Sequence, residues 1–544
     1  MNDQPVERPV PFSDTGTIFA EAPDWESVAN SLPASGDPAP EYTAIIDLGS
    51  GSARAVVMLV NSGGGIEIVA QQRVNLNLMS HIDDKGALDE SGVASAVDAL
   101  EDFALLAGGY GVQTIHAVGT AALRESGNSV AIIDAAVNRF GIPLRIIDGS
   151  DEAAYCFIGA IHGLPASNGI LADIGGGSME IVRFSERAMR WSVSLPLGSL
   201  RVANRFHLTD LAGAEDVHAA YEFVHATLAA SGVPRLKDGD VLVGSGGSVR
   251  LLSRLLRGLE PYPIIRMHGY EMDAGSLAGL ARELTAVSLS ERAGINGMNP
   301  ERGHSIVGGA IAAHALSQYT GADSMIGSGQ GLREGLARLP GPLPTNCPVS
   351  VPPLADVRMA SLVDLVGRFV PRFSQRGKRR AALARGLGAA VWGARNRRIC
   401  DALECAAFVL DIGNAMDFYN RANRTASVIV RTDLPGFTHQ ESAFLAAILL
   451  ATERRKLPPR FRRSRLLSQG DSQLIRQAAV ALTVIDELDS RLPYGCSPSQ
   501  VRFIRQNGML VVTTPSWSRT AGENVRERWL EEFGEKIDFV RCES

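Results

Sequence analysis

The chain has 544 residues, too many for one ordinary domain, and its 45% hydrophobic and 21% charged residues are those of a folded globular protein. A formal charge of -6 leaves no basic excess for a nucleic-acid partner, and no run of about 18 apolar residues offers a membrane span. The start, MNDQPVERPVPF, has neither a basic nor an apolar leader region, so a cytoplasmic protein is expected.

Residues 1–40 mix Pro, Asp, Glu, Ser and Gly with few periodic apolar positions, and a disordered tail is expected there. From Tyr42 onward TAIIDLG, ARAVVMLV and IEIVAQQRV read as three antiparallel strands joined by tight Gly-Ser turns. A helix follows from about Asp89 to Ala107, then the strand TIHAVGT, a helix from about Ser129 to Phe140 and the strand PLRIIDG. Strands alternating with helices predict an α/β unit.

Asp47-Leu48-Gly49-Ser50-Gly51-Ser52 recurs 126 residues later as Asp173-Ile174-Gly175-Gly176-Gly177-Ser178, again between two apolar strands. Two similar lobes, 42–165 and 166–335, would therefore face each other with one loop apiece. The Pro-rich stretch from Leu339 to Leu354 marks a boundary. Beyond it the sequence reads as a helical domain over 350–481 and a small C-terminal α+β unit over 482–544. Cys156, Cys347, Cys400, Cys405, Cys496 and Cys542 have no zinc-site spacing and read as buried thiols, so any metal should have oxygen ligands.

The repeated loops can carry chemistry. Small residues let backbone N–H groups converge on a phosphate, and Ser50, Ser52 and Ser178 add hydroxyl donors. Asp47 and Asp173, at strand ends, are placed to hold Mg2+ or Mn2+ while the ion also touches substrate phosphate.

The segments AIIDLGSGSARAVV at Ala44, GTAALRESGN at Gly119, IDGSDEAAYCFIGA at Ile147, LADIGGGSMEIV at Leu171, LPLGSL at Leu195, GSGGSVR at Gly244 and GQGLREG at Gly329 carry a resemblance. In order and spacing they resemble the exopolyphosphatase and guanosine pentaphosphate phosphatase family. The resemblance implies an α/β fold of two actin-like, ribonuclease H-like lobes. It implies that Glu152 orients and deprotonates an attacking water, with Ser150 as the N-cap that puts it in a first helical turn. Arg124 would grip phosphate, and Asp173, Glu180 and Asp47 would hold the cation. Phosphate would be bound by Ser50, Gly51, Ser52, Gly175, Gly176, Gly177, Ser178, Ser199, Gly246, Gly247 and Ser248. Arg333 and Glu334 match the motif closing the second lobe, as a catalytic contact or a structural ion pair. The sequence departs from the family at Gly51, where Asn is usual, at Asp151, where Glu is usual, and at Gly246, where Ser is usual.

The helical part resembles the HD-type domain of longer family members through VLDIGNAMDFYNRAN at Val409 and TDLPGFTHQE at Thr432. Leu410 stands in place of the His of the His-Asp pair, so metal chemistry at Asp411 is not expected. Between Arg372 and Arg465 stand 19 Lys and Arg against 7 Asp and Glu. This basic stretch, with Arg460, Arg462, Arg463 and Arg465, is expected to bind the distal part of a polyphosphate chain.

The expected activity is hydrolysis of the terminal phosphate of inorganic polyphosphate. The sister activity on guanosine pentaphosphate, with the tetraphosphate as a further ligand, stays open. So do an actin-superfamily kinase and a non-catalytic sensor. A homodimer is compatible with the sequence.

Overall fold

The computed structural model describes residues 41–542 except 62–64, 84, 340, 344–347, 371–374, 394–395, 455, 494 and 518–521. The expected tail at 1–40 and Cys347 lie outside them. The first sheet is built from β1 (Thr43–Leu48), β2 (Ser52–Val60), β3 (Ile66–Asn75), β4 (Thr114–Gly119) and β5 (Leu144–Ile146) in the order β3-β2-β1-β4-β5. β1 to β3 pair antiparallel, while β4 and β5 add parallel. The run TAIIDL is apolar on both faces because both faces are covered. Ile46 and Leu48 pack with Leu100 and Phe103 of α1 (Glu90–Gly109), and Ile45 faces the opposite layer. The Asp89 carboxylate accepts the Gly92 N–H at 2.7 Å, which starts α1 one residue after that cap. Helix α2 (Val130–Phe140) ends at Gly141 with φ of 66°.

The second sheet repeats this plan. β6 (Gly169–Ile174), β7 (Met179–Ser185), β8 (Ala188–Leu195), β9 (Val241–Ser245), β10 (Tyr270–Asp273) and β11 (Ser324–Gly327) lie in the order β10-β11-β9-β6-β7-β8. Strands β8-β7-β6-β9-β11 match β3-β2-β1-β4-β5 in order and sense, with β10 added at the edge.

The lobes are not separable at residue 165. Helix α3 (Gly149–His162) precedes that point, yet Ala153, Phe157 and Ile161 pack on Leu171, Val182 and Val243 of the second sheet. Conversely, among the later helices α4 (Ser199–Arg205), α5 (Gly246–Gly258) and α6 (Leu332–Arg338), the last returns to the first sheet. Leu336 and Ala337 cluster there with Ile45, Val56 and Val118. α3 and α6 cross between the sheets and tie each lobe to the other.

Beyond the lobes come α7 (Leu354–Phe369), α8 (Gln375–Val391), α9 (Arg397–Val409), α10 (Arg421–Ile429), α11 (His439–Glu453) and α12 (Asp471–Arg491), packed on one apolar core. The expected boundary at 481 falls inside α12, whose Val484, Ile485 and Leu488 stay in that core. The final unit is a sheet of β12 (Arg502–Gln506), β13 (Met509–Thr514) and β14 (Lys536–Arg541) with crossover helix α13 (Glu523–Phe533). Cys156 and Cys405 are buried thiols, but Cys400, Cys496 and Cys542 are partly exposed, contrary to the sequence expectation.

Part of the basic stretch is paired, some of it with acids outside the counted window. Arg376 and Arg379 bond Asp489, Arg398 bonds Asp471, and the fully buried Arg380 bonds both Asp411 and Asp486. Arg421 also reaches Asp411 and Asp486. Two guanidinium groups thus face the Asp411 carboxylate, and Arg380 and Arg421 help hold its pKa below the usual range against burial. Arg465 packs into the contact with the second lobe, 3.2 Å from Glu260 and over the Tyr262 and Tyr270 rings.

Candidate active site

The two Asp-Gly-Ser loops meet across a cleft of about 410 Å³ between the lobes. Each makes the same turn. Gly49 N–H donates to Ser52 O at 3.2 Å, and Gly175 N–H donates to Ser178 O at 3.0 Å. Each also has its carbonyls pulled backwards: Gly51 O accepts from Leu76 and Asn77 N–H, and Gly176 O from Leu200 and Arg201 N–H at the start of α4. Ser50, Gly51, Gly176 and Gly177 line the cleft, and their N–H groups meet no recorded protein acceptor among the described residues. Such a pair of loops presents donors to an anion without needing long side chains. Ser52, Gly175 and Ser178 line the cleft too. Ser199 lies beneath, its hydroxyl donating to Gly175 O at 3.1 Å.

The acids gather on the second-lobe side. α3 is capped by Asp148, which accepts the Asp151 N–H at 2.8 Å, and not by Ser150; Glu152 still falls in the first turn. Gly149 lets this turn close on β8, since a Cβ there would overlap Ser194. Ser194 Oγ donates to Glu180 Oε1 at 2.8 Å. Glu152 is 7% exposed and Glu180 1%. Burial, then the neighbouring charge of Glu180, pushes the Glu152 carboxyl well above its usual range, with Arg124 opposing. Burial, then Asp173, lifts Glu180 to about 7. Asp173 accepts from Ser245 Oγ, and from the Cys156 thiol at 3.3 Å. Burial keeps that thiol protonated.

Arg124, expected to grip phosphate, stands behind the cleft-lining Glu152 with its side chain 24% exposed. Its Nη1 donates to Glu152 Oε2 at 3.0 Å and to Ile147 O at 2.9 Å, so the guanidinium orients the acid. Ser248 is misassigned: it turns into the core against Gly309, while Gly246 and Gly247 line the cleft. Arg460, Arg462 and Arg463 are exposed on the helical region and do not line the cleft, and Arg465 is held by Glu260. No ion pair joins Arg333 to Glu334 among the described residues; Glu334 accepts the Gly331 N–H at 2.7 Å and both residues line the cleft.

Sequence reading missed most of the cationic wall. Arg54, Arg73, Arg250 and Arg302 line the cleft together with Arg333. Burial and the neighbouring guanidiniums draw Arg54 down to about 9 and Arg302 to about 10, so both stay cationic at neutral pH. Asp47 faces this wall; burial raises its pKa, against the pull of Arg333 and Arg54. The repeat held the missing signal. Asp47 pairs with Arg54 across β1 and β2 as Asp173 pairs with Glu180 across β6 and β7. Equivalent positions therefore carry a cation in one lobe and an anion in the other. Two ion pairs span the lobes beside the cleft, Arg73–Glu301 and Arg201–Glu125, each at 2.7 Å.

The donor set fits a hard divalent cation in one respect: among the described residues Glu180 Oε2 is buried with no hydrogen-bond partner, beside Asp173. Among the described residues no three such side chains close on an ion by themselves, so water or substrate oxygens would have to complete its shell.

A profile of the Ppx/GppA phosphatase family matches residues 56–338, half of the chain and both lobes. The chain belongs to the Ppx/GppA phosphatase family. The curated Exopolyphosphatase 1 of Mycobacterium leprae is 26% identical over 296 residues, 54% of this chain and 87% of that protein. The Mycobacterium tuberculosis Exopolyphosphatase 1 is also 26% identical, over 54% of this chain and 86% of its own. A solved exopolyphosphatase-like protein covers 55% of this chain and 97% of its own at 21% identity and a TM-score of 0.50, a likeness of fold. The Aquifex aeolicus Ppx/GppA structure gives 24% identity and a TM-score of 0.49 over 55% of this chain and 97% of that one. Both lobes are α/β with mixed sheets, and the likeness to the solved exopolyphosphatase-like protein is one of fold. Among the described residues no helix is long and apolar enough to cross a membrane.

Proposed function

We propose that this Ppx/GppA phosphatase is an exopolyphosphatase that releases orthophosphate from the end of inorganic polyphosphate. The observation that carries the reading is the composition of the cleft: five arginines face two N–H loops and an acid cluster, and no Phe, Tyr or Trp is among its lining residues. A chain of phosphates needs cations and N–H donors along its length. The five arginines along one cleft are what favour an extended polyphosphate chain in this reading.

In this reading the loops at Ser50–Ser52 and Gly175–Ser178 hold the terminal phosphate, while Arg54, Arg250, Arg302 and Arg333 hold its neighbours. Glu152, in its carboxylate form, takes a proton from water at Oε1 or Oε2, and Arg124 fixes its direction. Asp173 and Glu180, with Asp47 near, would hold Mg2+ or Mn2+, which when bound offsets charge on phosphate oxygens. Cys156 and Ser245 keep the Asp173 carboxylate turned towards the cleft.

The test is release of phosphate from long-chain polyphosphate and from guanosine pentaphosphate on one preparation, with and without chelator. A higher kcat/KM on polyphosphate, lost in chelator and restored by Mg2+, is the expected result. Preference for guanosine pentaphosphate, or phosphate transfer only when an alcohol acceptor is supplied, would overturn the assignment.

The Arg124 contact fixes the sign of a pH effect. Its hydrogen bond and charge lower the Glu152 pKa, and a base must be deprotonated to act. Arg124→Gln should therefore move the acid limb of the kcat/KM profile to higher pH, with most activity recovered on the alkaline side. An unmoved limb would mean that another group titrates there.

A further inference from the structure

Ser328-Gly329-Gln330-Gly331 runs from β11 to α6 and contributes Gly331 to the cleft. Gly329 O accepts from Arg250 Nη1 at 3.4 Å, and a Cβ on Gly331 would stand 3.8 Å from Asp173 Oδ1. The placement of this segment therefore bears on a cation and an acid of the site.

Its restraints come from behind the cleft. Gly329 N–H donates to His268 Nδ1 at 3.2 Å, and Gln330 is held at both ends of its amide. Nε2 donates to Asp433 Oδ2 at 3.0 Å, and Oε1 accepts from Arg338 Nη2 at 2.9 Å. A carboxylate on one side and a guanidinium on the other leave the amide a single orientation.

Asp433 belongs to the helical region, which the lobes grip at this point. Arg266 donates to Thr432 O, Phe437 O and Ser442 Oγ at 3.1, 3.2 and 2.9 Å. His439 Nε2 donates to His268 O at 2.9 Å, and its Nδ1 accepts from the Tyr262 hydroxyl at 2.9 Å. Burial lowers the pKa of both histidines, so each is neutral with a tautomer set by these partners. Among the described residues Asp433 Oδ1 has no hydrogen-bond partner, and it stands 4.0 Å from Arg266 Nε. Among the described residues, the contact Asp433 makes at hydrogen-bond distance is thus the one to the cleft segment.

We propose that Asp433 is a positioning residue for phosphate binding: through Gln330 it sets the carbonyl of Gly329 and hence Arg250. The helical region is then part of the substrate-binding apparatus although it lies outside the cleft. This rests on the cleft being a phosphate-chain site.

The experiment measures the affinity of the full-length protein for inorganic tripolyphosphate by calorimetry, and KM and kcat for long polyphosphate, in Asp433→Ala, Asp433→Asn, Arg250→Ala and Asp433→Ala/Arg250→Ala. Asp433→Ala should weaken binding and raise KM about 10-fold with kcat nearly unchanged. Asp433→Asn, which keeps an acceptor oxygen, should restore most of the loss. In the Arg250→Ala background Asp433→Ala should add little, because both act through one guanidinium. If Arg250→Ala weakens binding while Asp433→Ala does not, or if the two effects add, Asp433 does not act this way and the phosphate reading stands. If Arg250→Ala leaves tripolyphosphate affinity intact, both the proposal and the phosphate reading fall. Melting temperatures of all four variants, with Gln330→Ala as a second break of the same contact, separate positioning from unfolding.

Discussion

Glu152→Gln lowers kcat for polyphosphate by about 100-fold or more while KM stays near the wild-type value, the scale expected for removing a positioned general base. The amide keeps the volume of the carboxylate and still accepts from Arg124, so the first turn of α3 keeps its shape. It cannot take a proton from water. Binding is spared because Glu152 lies among the acids and the phosphate oxygens would be held by loop N–H groups and arginines on the facing walls. The neutral amide also relieves repulsion with Glu180 and Asp173, which burial intensifies. The variant should therefore be at least as stable as the wild type at neutral pH and above. Steady-state kinetics together with a thermal melt at pH 8 check both halves. Near-normal turnover would remove Glu152 from its role, and a loss of stability would mean that its carboxylate is a structural anion.

Gly335→Ala should destabilise the protein by about 3 kcal/mol or more and abolish activity in what remains folded. α3 and α6 cross with their backbones in contact: a Cβ on Gly335 would fall inside the carbonyl of Tyr155, and one on Gly159 inside the carbonyl of Gly331. Backbone cannot give way as the end of a side chain can. The helices would have to part, which pulls Leu336 and Ala337 from the first sheet and moves Arg333 and Glu334 at the cleft. Gly159→Ala should act alike. The control is Gly279→Ala in the helix Ala274–Thr285, where an added Cβ meets nothing within 4 Å and helix propensity predicts a gain of up to about 1 kcal/mol. Urea denaturation midpoints for the three variants provide the comparison. An unchanged midpoint for Gly335→Ala would show that the α3–α6 crossing is loose.

The sequence by itself determined the two loops, the strands around them and the acid in the first turn of α3. Those signals are local: β-branched runs and Gly-Ser turns each declare themselves within about ten residues, a repeat at 126 residues doubles the statement, and the helix start was legible although its cap is Asp148 and not Ser150. What the cleft is made of was decided only by tertiary structure. Arg73, Arg250 and Arg302 come from separate segments of both lobes, and no spacing announces that they share one wall with Arg54 and Arg333. Arg124 stands beside a loop in the sequence, but the packing of α3 turns it to Glu152. α3 and α6 exchange sheets because each needs an apolar face that the other lobe supplies. The expectation that the basic stretch from Arg372 to Arg465 binds polyphosphate rested on charge counted along the chain. Asp471, Asp486 and Asp489, which pair with part of it, lie on α12, and only helix packing brings them to Arg398, Arg380 and Arg376. Coulomb energy depends on separation in space, and in a folded chain separation along the sequence does not set it.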